Sequence, residues 1–260
     1  ENLTEEEQAK SKECILKIWK YYNERIVGQK GLGISLLVSL MANGHILLES
    51  VPGLAKTTAA KTLTDAVGGK FSRIQCTPDL LPSDIIGTEI FNYSNSEFET
   101  KFGPVFANFV LLDEINRSSA KTQSAMLEAM QERQASIGGR TFKMPEVFIV
   151  IATQNPIEQE GTYILAEAQL DRFLIKEKLD YPTVKEEVEI LNLIENKTFD
   201  TKEAIITMED LTFLQQTTEK VYIDESIKKY IAQIILATRC PQNYIDKKLA
   251  DYINLGSSPR

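Results

Sequence analysis

The stretch His45-Ile-Leu-Leu-Glu-Ser-Val-Pro-Gly-Leu-Ala-Lys-Thr-Thr58 decides the fold. A short apolar run, Ile46 to Leu48, breaks into a loop that ends in Lys56 and Thr57, and a helical pattern follows from Thr57 to Val67. Strand, loop and helix in that order, with Lys-Thr at the turn, read as a phosphate-binding loop, the alternative being an ordinary strand-to-helix turn with a solvated lysine. Backbone N–H groups cradle phosphate oxygens, the lysine reaches the β- and γ-phosphates, and the hydroxyl ligates Mg²⁺. The usual pattern is Gly, four residues, Gly-Lys-Ser/Thr, and here Ser50 and Ala55 occupy its two glycine positions. Context carries the reading, because the helix N-terminus would face the ligand with its positive end.

Outward from the loop, the apolar runs Phe71 to Gln75, Val110 to Leu112 and Val147 to Ala152 alternate with helical stretches, which predicts βα units and a mostly parallel sheet covered by helices on both faces. Before the loop, the segment up to about Asn23 is a helix with Cys14, Ile15, Ile18, Trp19 and Tyr22 on one face, and an apolar helix runs from about Gly33 to Ala42. Two hairpins interrupt the pattern. One spans Glu89 to Lys101, aromatic and polar by turns; the other spans Gln134 to Lys143, with Gly138 and Gly139 supplying positive φ. Beyond Pro182 only helices are expected: Val184 to Glu195, Met208 to Lys220, Asp224 to Arg239, and a last one near Ile245 to Tyr252. Two domains follow, an α/β core over 1–182 with its helical N-terminal segment 1–25, and a small all-helical region over 183–260.

Two further strand ends carry chemistry. Phe109-Val-Leu-Leu-Asp-Glu-Ile-Asn-Arg117 delivers adjacent carboxylates from a buried run, and two charges there need compensation that a Mg²⁺-nucleotide provides. Asp113 would hold the metal, through water or directly, and Glu114 would orient and deprotonate an attacking water. Val150-Ile-Ala-Thr-Gln-Asn155 ends in amides able to position that water or the γ-phosphate. Parallel sheets bind ligands at such converging strand ends. His45, the sole histidine, is expected to be a packed strand-start residue, and Met126, Leu127 and Met130 to be core.

Composition sets bounds. In 260 residues, 37 acidic and 29 basic side chains leave a net charge of -8, which argues against a general nucleic-acid binder, and 43% apolar content supports a real core. Three scattered cysteines fit a reducing compartment, and no apolar run reaches the roughly 18 residues a membrane span needs. A cytoplasmic protein is expected. The chain starts without Met and has no basic-then-apolar leader, so it reads as a trimmed segment with no secretion signal in view.

Gly44-His-Ile-Leu-Leu-Glu, Val51-Pro-Gly-Leu-Ala-Lys-Thr57, Asp113-Glu-Ile-Asn-Arg117, Met126-Leu-Glu-Ala-Met-Gln-Glu-Arg133, Ala152-Thr-Gln-Asn-Pro-Ile-Glu-Gln-Glu-Gly161 and Ala166-Glu-Ala-Gln-Leu-Asp-Arg-Phe173 together resemble the MoxR family of AAA+ ATPases over nearly the whole chain. The resemblance implies a P-loop NTPase fold, a three-layer αβα sandwich with inserted β-hairpins followed by a small, truncated helical lid. It implies ATP and Mg²⁺ as ligands and ATP hydrolysis as the reaction. The loop from Ser50 through Val51, Pro52, Gly53, Leu54 and Ala55 to Lys56, Thr57 and Thr58 would wrap the phosphates, with Thr57 and Asp113 on the metal. Val27 and Gly28 would lie against adenine, Asn155 would sense the γ-phosphate, and Arg260 would reach nucleotide from the lid. Arg172 resembles an arginine finger acting on a neighbouring subunit, which implies a homo-oligomeric ring, usually of six, and Arg117 is a second interface candidate. Partners of the family are protein clients, often bearing von Willebrand factor A domains, assisted in maturation or metal loading.

Ala55 is the residue the family usually has before its lysine, whereas Ser50 replaces a glycine. If the backbone at Ser50 has positive φ, the side chain costs about 1 kcal/mol and weakens the cradle; if not, serine changes little. Two other functions stay open on the sequence. One is a nucleic-acid motor, favoured by Arg133, Arg140 and Lys143 on the second hairpin and opposed by the acidic balance; the other is a nucleotide-dependent ring scaffold with little turnover.

Overall fold

The computed structural model describes residues 3–51, 53–94, 96–156, 163–195, 204–253 and 256–257. In chain order they form α1 (Glu5–Asn23), α2 (Lys30–Met41), β1 (Ile46–Glu49), α3 (Lys56–Val67), β2 (Phe71–Gln75), α4 (Pro82–Ile86), β3 (Gly87–Asn92), β4 (Glu97–Phe102), β5 (Phe109–Asp113), α5 (Ala120–Glu132), β6 (Gln134–Ile137), β7 (Arg140–Lys143), β8 (Ile149–Gln154), α6 (Glu167–Leu170), β9 (Ile175–Lys178), α7 (Val184–Glu195), α8 (Met208–Glu219), α9 (Glu225–Arg239) and α10 (Lys247–Ala250). The central sheet runs β2-β5-β8-β1-β9, every pair parallel. Its middle strands are the continuous apolar runs, and their side chains divide by alternation. Ile46, Leu48, Leu111, Ile149 and Ile151 enter one core with α1, α2, α3 and α8. Leu47, Val110, Leu112, Val150 and Ala152 enter a second, with α5 supplying Met126, Leu127 and Met130. This is the expected three-layer αβα arrangement.

The first layer starts from a well-set helix end. Thr4 caps α1 by accepting the Glu7 N–H, the Glu7 carboxylate accepts the Thr4 N–H, and three acids fill the first turn. Cys14, Ile18, Tyr21 and Tyr22 are then buried along its inner face against α3 and α8. Both hairpins form, as β3–β4 and β6–β7. At the second, Gly138 and Gly139 have φ of 57° and 78°, the left-handed pair that a two-residue turn between twisted strands requires. Among the helices after Pro182, α8 buries Leu211 and Leu214 in the first core, and its Gln215 donates to the Leu40 carbonyl. Helices α7 and α9 bury no residue.

Three expectations need correcting. Strand β9, Ile-Lys-Glu-Lys, was not anticipated: it lies at the sheet edge with alternate residues exposed, so its charged side chains hide a strand that only pairing with β1 reveals. The last helix is shorter than expected, four residues from Lys247 to Ala250, and α2 starts at Lys30, a turn before Gly33.

Candidate functional site

Strands β5, β8 and β1 are neighbours, so their C-terminal ends converge on one edge, with the loop after β1 beside them. At the start of that loop the Ser50 N–H donates to the Gln154 carbonyl at 3.1 Å and its hydroxyl donates to the Val51 carbonyl at 3.1 Å. Ser50 is 3% exposed and is not among the residues with positive φ. The serine therefore sits in ordinary backbone space, which removes the physical basis for a weakened cradle. Strain falls instead on the other substituted glycine. Ala55 has φ 53° and ψ 20°, a left-handed conformation that L-residues adopt at a cost of about 1 kcal/mol or more. Gly53, at φ 88°, makes the preceding reversal. Pro52 lies outside the described residues.

The reversal points the start of α3 into the edge with no side-chain cap, and its first helical hydrogen bond runs from the Ala59 N–H to the Ala55 carbonyl. The N–H groups of the first turn are thus available to an anion. Lys56, the first residue of α3, is half-buried. Desolvation pulls its pKa below the usual lysine value, opposed by the charges of Asp113 and Glu114. Among the described residues its side chain makes no hydrogen bond or ion pair, so its ammonium is desolvated and near acids without being consumed by them. That is the electrostatic condition for gripping phosphate.

The two carboxylates are held tightly. Thr153, fully buried on β8, donates its hydroxyl to Asp113 Oδ1 at 2.8 Å and accepts the Glu114 N–H at 2.8 Å. Arg73 Nη2 lies 2.5 Å from Asp113 Oδ2. Gln75 Nε2 donates to Glu114 Oε2 at 3.1 Å, and Arg117 Nε sits 3.2 Å from the same oxygen. Glu114 itself occupies left-handed space, φ 59° and ψ 54°, the kind of local strain that functional residues store. Arg73, Gln75 and Thr153 were not singled out in the sequence; they arrive because β2 and β8 flank β5. The turn after Glu114 is clamped by the buried Gln123, whose amide donates to the carbonyls of Ile115, Ser118 and Tyr163. Asn155 follows β8 and is buried, its carbonyl accepting from Asn116 Nδ2 at 3.4 Å. The donor chemistry fits Mg²⁺: Thr57 and Asp113 are hard oxygen donors, and this ion accepts one or two protein ligands when phosphate and water complete its shell.

A cavity of about 580 Å³ opens beside the loop. Val27, Gly53, Ala55, Thr57 and Thr58 line it, joined by Tyr21 and Arg25 of the α1 end and by Ile190, Leu193 and Ile194 of α7, residues the sequence pattern did not mark. It is mostly apolar, as a purine base prefers. Gly28 does not line it; a methyl group there would come within 3.0 Å of the Glu186 carboxyl carbon.

Other candidates lie apart. Arg172 precedes β9, and since Ile175 pairs with Ile46 at the start of β1, it sits at the opposite edge of the sheet from Lys56. Arg117 is paired with Glu114 of its own chain. His45 is a core residue: Nδ1 accepts the Val150 N–H at 3.0 Å, leaving Nε2 to donate to the Met130 carbonyl at 3.2 Å, and burial pulls its pKa down to about 4. Arg133 does not contribute to a basic hairpin. Its guanidinium turns inward to the carbonyl oxygens of Asn43, at 2.5 Å, and Phe148, at 3.4 Å. Arg260 lies outside the described residues. Among the described residues, no helix is long and apolar enough to cross a membrane.

Comparison with known proteins agrees with this geometry. The model for the ATPase family associated with various cellular activities (AAA) matches residues 45–175. Chaperone MoxR1 of Mycobacterium tuberculosis is 50% identical over 235 residues, 90% of this chain and 62% of its own length. The uncharacterized protein YeaC of Bacillus subtilis is 46% identical over 245 residues, 94% of this chain and 74% of its own. The crystal structure of a candidate ATPase from Cytophaga hutchinsonii superposes with a TM-score of 0.87 at 46% identity, covering 97% of this chain and 78% of that one.

Proposed function

We propose, for a chain that belongs to the MoxR family of AAA+ ATPases, that it binds Mg²⁺-ATP at the strand-end cluster and hydrolyses it to drive remodelling of protein clients. The observation that carries the reading is the uncapped start of α3 with Lys56 desolvated beside Asp113 and Glu114. The purine takes the cavity between the end of α1 and α7, and the phosphates run along the loop to the N–H groups of Lys56, Thr57 and Thr58. Thr57 and Asp113 would hold Mg²⁺, whose charge would offset that of the phosphate oxygens. Glu114 takes a proton from the water whose oxygen bonds to the γ-phosphorus, while the bond to the β-phosphate oxygen breaks and ADP leaves. Asn155 orients that water.

Arg172 is too far round the sheet to serve its own chain's site, so it supplies positive charge to the site of a second copy. The active unit is then a homo-oligomer, a ring on the family pattern. The client reading draws on the name of MoxR1, a chaperone, and the client class includes von Willebrand factor A domain proteins as the family resemblance implies.

The test compares two variants by equilibrium binding of a fluorescent ATP analogue with Mg²⁺ and by phosphate release. Lys56→Ala loses binding, whereas Glu114→Gln keeps it and stops release. Full phosphate release by Glu114→Gln overturns the assigned chemistry.

A further inference from the structure

We infer that Arg73 controls metal entry, because its guanidinium holds the carboxylate of Asp113 and a divalent cation arriving with nucleotide must compete with that positive charge for it. The inference rests on the nucleotide reading above. Arg73 and Gln75 are two residues apart on β2 and so share a face, and the parallel register sets Gln75 opposite Asp113. Nη2 of Arg73 lies 2.5 Å from Asp113 Oδ2 and donates to Gln75 Oε1 at 3.3 Å. Taking the amide oxygen of Gln75 turns its NH₂ group toward Glu114 Oε2. One guanidinium therefore neutralises the first acid directly and orients the neutral partner of the second.

The other oxygen of Asp113 already accepts from Thr153. Each oxygen keeps a further lone pair, but a cation bound there meets the positive guanidinium at hydrogen-bond distance, and burial decides which partner gives way. Thr153 is fully buried and Asp113 is 14% exposed, whereas half of the Arg73 side chain is in solvent. Arg73 is free to swing outward and the others are not. Its partial exposure also keeps the pair weak enough to be exchanged, because solvent screens charge pairs at that depth. Without metal the pairing relieves two adjacent acids at the end of a buried strand; with metal it competes. Arg73 is thus a positioning residue for both acids and sets the Mg²⁺ concentration at which the site closes on nucleotide.

The experiment titrates Mg²⁺ into the protein with a fluorescent ATP analogue, using binding in excess chelator as the baseline, for the wild type and for Arg73→Met, Arg73→Gln and Arg73→Lys. Removing the charge lowers the Mg²⁺ midpoint about fivefold in the methionine and glutamine variants, while lysine keeps it near the wild-type value. The chelator baseline stays common to all four. Thermal unfolding without nucleotide checks the fold, and the glutamine variant carries the test if methionine does not fold. An unchanged or higher midpoint in the charge-free variants overturns the role of Arg73. A wild type that binds no nucleotide at any Mg²⁺ concentration overturns the nucleotide reading, and this inference with it.

Discussion

Putting glycine back at the two substituted positions of the phosphate loop, Ser50 and Ala55, costs stability at the first and not at the second. Ser50 has no positive φ, is 3% exposed, and its hydroxyl donates to the Val51 carbonyl at 3.1 Å. Glycine there adds backbone freedom to the unfolded chain, about 0.5–1 kcal/mol, and loses a buried hydrogen bond worth about 0.5–1.5 kcal/mol. Ser50→Gly is expected to destabilise by about 1–2.5 kcal/mol. Ala55 already has φ 53° and ψ 20°, so glycine relieves about 1 kcal/mol of left-handed strain, offset by about 0.4–1 kcal/mol of unfolded-state entropy. Ala55→Gly is expected to be neutral to slightly stabilising. The two variants should differ by about 1–3 kcal/mol in urea unfolding, or about 2–12 °C in melting temperature for a chain of this size. Turnover should gain nothing from glycine at 50. A Ser50→Gly protein that is more stable than wild type, or an Ala55→Gly protein less stable than Ser50→Gly, would refute the assignment of strain within the loop.

The buried His45 makes stability depend on acid. Its folded pKa, about 4, lies below the ordinary 6.5, so its contribution is complete above pH 6.5 and is lost as the pH falls toward 4, about 3 kcal/mol in all. His45→Gln should flatten that part of the pH–stability curve measured by denaturant unfolding; an unchanged slope would assign the acid loss elsewhere. Arg133→Ala should cost about 2 kcal/mol, because the carbonyl oxygens of Asn43 and Phe148 lose their donor, and Arg133→Lys should not restore it, since a single ammonium cannot span both. Unfolding curves that match the wild type would place this guanidinium in solvent.

Much of the fold was legible because its signals are local. Strands β1, β5 and β8 are buried on both faces and read as unbroken apolar runs, and the second hairpin announces its turn with Gly138-Gly139. Strand β9 was hidden because an edge strand exposes alternate residues and Ile-Lys-Glu-Lys carries no apolar period. The candidate site was legible where motif residues follow a strand: Lys56, Thr57, Asp113, Glu114 and Asn155 meet at one edge. Their partners were not. Arg73 and Gln75 are 40 and 39 residues from the acids they hold, and only the placement of β2 beside β5 brings them there. Spacing alone also hid which substituted glycine bears strain, since a motif records positions and not φ. Arg133 shows the same limit for charge: a basic residue beside a hairpin turns inward once unpaired carbonyls lie within its reach.

The central claim, an ATPase site completed by a second copy of the chain, is tested most directly by mixing two inactive variants. Glu114→Gln protein lacks the proposed base but retains Arg172; Arg172→Ala protein lacks the proposed finger but retains Glu114. Each alone should bind Mg²⁺-ATP and release little phosphate. Mixed and allowed to exchange subunits, they should regain phosphate release, because an intact Glu114 then faces an intact Arg172 across a heterologous interface. Mixed oligomers that form and stay inactive would contradict the shared site.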